Sequence, residues 1–122
     1  MLQHVSIEVP PAEKERTLEF WGLLGFQKVE APGPINQFVD WVESEGTQIH
    51  FIYTEDAAIP SLGHPAVVAS DFDDAVARLD EAGFEFEESR QLWGERRGFA
   101  IAPGGHRVEV MAAPPPSSSW PG

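Results

Sequence analysis

The chain of 122 residues contains no cysteine. No disulfide framework is open to it, and a cytoplasmic setting fits. Positive charge is scarce as well. Eight Lys and Arg face twenty Asp and Glu, for a net charge of −12 and a pI near 4.5. Nucleic acid and anionic membrane would therefore be repelled on average. No apolar run is long enough to span a bilayer, and the N-terminus lacks a basic-then-apolar leader. Disorder is excluded from the other side: 42% of the residues are hydrophobic and 11% aromatic, the make-up of an ordinary globular protein. The length suits one domain with a sizeable core and is too short for two independent ones.

What the sequence does contain is repetition. Gln3-His4-Val5-Ser6-Ile7-Glu8-Val9 and Gly63-His64-Pro65-Ala66-Val67-Val68-Ala69 both read as strands opening on a histidine. Gly25-Phe26 answers to Gly83-Phe84, and His50 to Glu109, each pair 58 to 60 residues apart. Such a period predicts a duplicated supersecondary unit, at about residues 1–58 and 61–113.

Taken in order, Val5, Ile7 and Val9 alternate against His4, Ser6 and Glu8, predicting a strand that Pro10-Pro11 stops. Leu18, Trp21 and Leu24, with Phe20 beside them, predict an amphipathic helix over 11–24 that closes on Gly25. Strands follow at 26–30, 38–42 and 48–53, the last two joined by a turn through Ser44-Glu45-Gly46. The pattern restarts at His64. Asp71 is the expected cap of a second helix with an apolar stripe at Phe72, Ala75, Val76, Leu79 and Ala82, closed by Gly83. Strands are expected at 84–88, 97–102 and 106–112, the last after the turn Pro103-Gly104-Gly105. Residues 1–113 thus form one domain. Residues 114–122 form a Pro/Ser-rich tail, with Trp120 its natural anchor.

Strand parity isolates four polar positions. His4, His50, His64 and Glu109 each face away from the apolar residues of their own strand, so they share the face opposite the helices. Singly, each histidine would pass for a satisfied polar group on a partly wet face. Together, three neutral imidazoles and one carboxylate suit a divalent first-row metal such as Ni, Fe, Mn, Co or Zn. Glu8, Gln48 and Arg107 share that facing, and Arg96 and Arg97 are placed to clamp a carboxylate or phosphate of a substrate. Trp21 belongs to the core stripe of its helix, while Trp41 and Trp93 are candidates to wall an apolar substrate. His106, starting the last strand after a turn, is expected at the solvated surface. Asp71-Asp73-Asp74 lacks the glycine and distal glutamate of a calcium loop and reads as a helix cap.

The repeated strand-helix-three-strand unit resembles the vicinal oxygen chelate superfamily, which includes glyoxalase I, extradiol dioxygenases and bleomycin-resistance proteins. The resemblance rests on His4, Leu24-Gly25-Phe26, Gln48-Ile49-His50-Phe51, Gly63-His64 and Pro103-Gly104-Gly105-His106-Arg107-Val108-Glu109-Val110, and covers residues 1–113. It implies an α+β fold in which two βαβββ units form a cup-shaped eight-stranded mixed sheet with helices outside. It also implies a homodimer, and metal ligands at His4, His50, His64 and Glu109. His50 departs from the glutamate of glyoxalase I. A fourth ligand would leave two open positions on an octahedral ion, which ranks Lewis-acid isomerase or lyase chemistry on a small oxygenated substrate first, with Glu109 as catalytic base. An Fe(II) dioxygenase, with His50 off the metal, ranks second, and a metal-free drug-binding protein is the rival class.

Overall fold

Each half of the chain builds one four-stranded mixed sheet with a helix against it in the computed structural model, which describes residues 1–117. The expected anchor Trp120 lies outside the described residues. Strand β1 (His4–Val9) leads through a 3-10 turn at Pro11–Glu13 into helix α1 (Lys14–Leu23), and β2 (Gln27–Val29), β3 (Val39–Ser44) and β4 (Thr47–Tyr53) follow. Then β5 (Ala66–Val68), α2 (Phe72–Glu81), β6 (Phe86–Ser89), β7 (Arg97–Ile101) and β8 (Arg107–Met111) repeat the sequence of elements. The strand orders are β1-β4-β3-β2 and β5-β8-β7-β6. In both sheets the first and fourth strands pair in parallel and the remaining pairs are antiparallel. The expected eight strands are present, four to each sheet. No helix among the described residues is long and apolar enough to cross a membrane.

Two compact units result: Met1–Leu62 with Ala102–His106, and Gly63–Ile101 with the described chain from Arg107 on. In the first unit α1 buries Thr17, Phe20 and Trp21. The buried stripe is thus centred one residue before the Leu18 position expected from apolar spacing, and Leu18 itself is only partly covered. Trp21 is fully buried, its ring meeting Phe20, Phe26 and Phe51 edge-on or tilted, which confirms a packing role. Gly25 (φ 93°) ends α1 in the left-handed region that glycine enters at no steric cost. Glu45 and Gly46 both take positive φ, the geometry of a two-residue hairpin turn between β3 and β4.

His106 corrects an expectation. It is 4% exposed, and its Nε2 lies 2.6 Å from the Glu8 carbonyl oxygen, to which it donates. The turn before it packs into the first unit, where a Cβ on Gly104 would come within 3.1 Å of Pro10 Cδ. The bond to Glu8 and the approach of its turn to Pro10 accompany the burial of His106, although the turn itself is exposed or only partly covered.

Asp40, on the same unit, is 3% exposed and carries three partners. It accepts from Tyr53 Oη at 2.8 Å and ion-pairs Lys28 at 3.2 Å and Lys14 at 3.9 Å. Burial, then the hydrogen bond to Asp40 and its charge, push the Tyr53 phenol far above its ordinary range. In the unfolded chain that phenol ionises near pH 10. Above that pH the folded state holds the proton the unfolded state has lost, so stability falls as pH rises. Tyr53 is the sole tyrosine. Tyrosinate absorbance is therefore expected to appear only together with loss of far-ultraviolet dichroism. Ionisation near pH 10 in a fully folded chain would contradict the arrangement.

In the second unit Asp71 caps α2 as expected, its Oδ1 accepting from the Asp74 amide at 3.1 Å, and Phe72, Ala75 and Leu79 are buried. Strand β5 begins at Ala66, two residues later than the sequence suggests. Pro65 has no N–H to give a ladder, so His64 stands just outside the strand, although the Pro65 carbonyl still accepts from the Glu109 amide at 3.0 Å.

Candidate metal and substrate site

On the first unit, β1 lies beside β4 with His4 opposite Gln48 and Ser6 opposite His50, and β3 sets Trp41 opposite His50. These side chains share the face turned away from α1, as parity requires. Their rings form a three-layer stack. Trp41 and His50 lie 4.0 Å apart at 5°, His50 and His4 4.0 Å apart at 13°. His50 Nε2 is 2.8 Å from Gln48 Oε1, Gln48 Nε2 donates to Glu43 Oε1 at 2.9 Å, and His4 Nδ1 is 2.7 Å from Gln3 Oε1. Burial first, and then the neighbouring His4, lower the His50 pKa, so its imidazole stays neutral. Glu8 is occupied nearby, its Oε1 accepting from the Ala58 amide at 3.0 Å.

On the second unit, Glu109 stands in β8 between Ala66 of β5 and Phe99 of β7. Glu109 is 8% exposed, and its carboxylate is divided between two partners. Oε1 lies 3.1 Å from His64 Nε2, and Oε2 accepts from Arg97 Nε at 2.7 Å. Arg97, itself 9% exposed, also donates to the Arg90 carbonyl at 2.9 Å. Phe99 is the hub that the sequence reading missed. Its ring meets His64 edge-on at 4.9 Å and lies under the guanidinium groups of Arg107 at 4.1 Å and Arg97 at 5.4 Å. Trp93 flanks Arg97 at 5.9 Å and donates its indole N–H to the Ala113 carbonyl. A cavity of about 520 Å³ opens beside Phe99, lined also by Ile101, Arg107, Glu85 and Glu87. Arg96 sits elsewhere: it holds Glu88 through two nitrogens and Asp73 through a third, and lies over the Phe72 ring at 4.7 Å.

The two histidine pairings differ in what they offer a cation. Ligands at right angles on an ion with bonds of about 2.1 Å stand about 3.0 Å apart. The His64 Nε2 to Glu109 Oε1 separation of 3.1 Å matches that edge, and Arg97 on the far oxygen is the kind of outer partner that fixes a ligating carboxylate. The stacked His4 and His50 do not fit as they lie. Imidazole lone pairs point within the ring plane, and two parallel planes 4.0 Å apart cannot both aim at one ion without a ring rotation. Among the described residues, no three His, Asp or Glu side chains gather into a metal-holding group.

A strand-helix-three-strand unit used twice, with polar residues opposite each helix, defines a duplicated α+β fold. The family model described as the Glyoxalase/Bleomycin resistance protein/Dioxygenase superfamily matches residues 2–110, and the chain belongs to that superfamily. Solved structures similar to it include one of a protein ascribed to the glyoxalase family from Bacillus anthracis, at 21% identity and TM-score 0.81. That match covers 91% of this chain and 93% of the other. A glyoxalase/dioxygenase from Nostoc punctiforme matches at 17% identity and TM-score 0.76, covering 93% and 91%. A bleomycin resistance determinant encoded on the transposon Tn5 matches at 13% identity and TM-score 0.63, covering 88% and 94%. At these identities the likeness is one of fold. No curated protein matches the chain in sequence. The superfamily's own name joins enzymes to resistance proteins, and divalent metals are frequent among its members.

Proposed function

We propose that the chain is a divalent-metal-dependent enzyme that acts on a small oxygenated substrate by proton transfer next to a carbonyl, a reaction of the isomerase or lyase type. The observation that carries this reading is the His64–Glu109 pair, spaced as two adjacent ligands and braced by Arg97. When bound, a divalent ion supplies Lewis acidity that polarises a carbonyl oxygen. The remaining work falls to this chain's side chains. Glu109 is the group that takes the substrate proton: Oε1, the oxygen not held by Arg97, has a second lone pair beside the one an ion would use. Arg97 keeps the carboxylate from rotating by holding Oε2. Phe99 seats the His64 ring and closes one side against water. His50, bonded to Gln48 and stacked between Trp41 and His4, takes no part in the proton transfer.

The resemblance also admits a second reading, an Fe(II) dioxygenase in which His50 stands off the metal and two histidines and one carboxylate keep three positions open for a catecholate and dioxygen. Elemental analysis of protein purified without an affinity tag, then reconstituted with Ni, Mn, Fe or Zn, tests both. About one ion per chain is expected, falling to background in His64→Ala. Marked preference for iron would favour the dioxygenase. Substoichiometric metal under every condition would overturn both in favour of a metal-free binding protein. A homodimer, expected from the resemblance, stands as a proposal that sedimentation equilibrium would test.

A further inference from the structure

Arg107 stands apart from nearly every other cation in the chain. Of the eight Lys and Arg residues, Lys14 and Lys28 pair with Asp40, Arg16 with Glu19, Arg78 with Asp74, Arg96 with Glu88 and Asp73, and Arg97 with Glu109. Arg90 and Arg107 remain. Arg90 is exposed, whereas Arg107 is half-buried, lines the 520 Å³ cavity and lies 4.1 Å over the Phe99 ring. In a chain with twenty carboxylates, an arginine in a concave site that pairs with none of the described ones is unusual. Two of those carboxylates, Glu85 and Glu87, line the same cavity without coming within ion-pair distance of it. The aromatic ring does what a carboxylate does for the others. It supports the guanidinium, and it leaves the planar N–H fork available at little further cost in side-chain freedom.

We propose that Arg107 is the anchor for an anionic group, a carboxylate or a phosphate, on the ligand this cavity takes, with Phe99 and the guanidinium as the platform for its planar part. A fork of parallel N–H donors matches two oxygens of such a group at once. Arg107 and Glu109 are two residues apart on one face of β8, so their Cα atoms are about 6.7 Å apart. An anion on Arg107 therefore sets a group a few bonds away beside the His64–Glu109 pair. Glu85 and Glu87 oppose a ligand of high negative charge, which narrows the class to small molecules with a single carboxylate or phosphate and a carbonyl or hydroxyl near that end. The inference deepens the proposed function by naming its substrate class and rests on that reading for the chemistry, but not for the binding.

Calorimetric titration with three probes tests it: phenylglyoxylate, its uncharged methyl ester, and phenyl phosphate. Each is titrated into metal-free and Zn-reconstituted wild type, Arg107→Met and Arg107→Lys. Wild type is expected to bind an anionic probe ~tenfold or more tightly than the ester, already in the metal-free form. Arg107→Met should erase the preference, and Arg107→Lys should keep part of it. Phenyl phosphate outranking phenylglyoxylate would assign the anion as phosphate, the reverse as carboxylate. Equal binding of acid and ester by wild type, or a preference that survives in Arg107→Met, would overturn the assignment; the wild-type comparison holds whether or not the variants fold. Anion preference in a protein that takes up no metal would leave Arg107's role standing and remove the proposed reaction. Stoichiometric metal with no anion preference would do the opposite.

Discussion

Glu109→Gln is expected to lower turnover by about 10²-fold or more while keeping a detectable share of bound metal. The carboxylate has two acceptor oxygens and uses both, one toward Arg97 at 2.7 Å and one toward His64 at 3.1 Å. Glutamine has a single acceptor. If its oxygen stays with Arg97, an NH₂ group faces His64 and the ion. If it turns to the ion, Arg97 loses its partner while buried, which costs about 1–3 kcal/mol or more for a charged group. Either arrangement weakens the metal without abolishing it, and neither restores a proton acceptor. His50→Gln should be milder, because His50 is already bonded to Gln48 and stacked between Trp41 and His4. Metal content and single-turnover rates measured in parallel on the two variants check this. Normal turnover in Glu109→Gln, or a deader His50→Gln, would show the roles to be misassigned.

The second large effect is on stability. Gly98→Ala is expected to destabilise the chain by about 3 kcal/mol or more, at the upper end of overpacking costs. A Cβ at Gly98 would collide with the Phe86 ring and come within 2.5 Å of the Glu87 carbonyl oxygen and 2.8 Å of Glu88 Cα. Two of these three obstacles are backbone of β6, the strand that pairs with β7 at Glu88 and Gly98. Phe86→Ala should therefore fail to rescue the variant, since removing the ring leaves the backbone contacts in place. A shift of β7 would also carry Arg97 and Phe99 with it, so metal affinity should fall alongside stability. Denaturant unfolding of the two single variants and the double variant measures the effect. A Gly98→Ala chain within about 1 kcal/mol of wild type would show that β6 yields more easily than its geometry implies.

Much of this architecture is legible in the sequence, because the repeat and the period-two alternation are local signals. Parity puts His4 and His50 on the face opposite the helix, and the parallel pairing of β1 with β4 then sets them on neighbouring strands. What was not legible depends on burial by distant segments. Thr17 offers no apolar signal, yet its helical phase with Phe20, Trp21 and Leu24 buries it, while Leu18 lies to one side. His106 reads as a turn residue, and its burial goes with a bond to the distant Glu8 carbonyl and with a turn lying near Pro10 and Ile59. Arg97 read as a substrate clamp because sequence shows a free guanidinium, whereas in the fold it serves Glu109 across the β7–β8 ladder. A signal for Phe99 did exist. It shares parity with Arg97 and sits on the same sheet face as Arg107 and Glu109, so an aromatic there could have been read as a platform. The stacking of His4 on His50 could not have been read at all, since ring rotation leaves no trace in a residue pattern.

The most direct test of the central claim is the position of the ion itself. Anomalous-difference density, collected at the metal edge from crystals of the protein reconstituted with Mn or Zn, is expected to show one peak per chain. That peak should lie about 2.1 Å from both His64 Nε2 and Glu109 Oε1, with Arg97 still on Oε2. A peak bonded to other residues, or none in stoichiometrically loaded protein, would contradict the account.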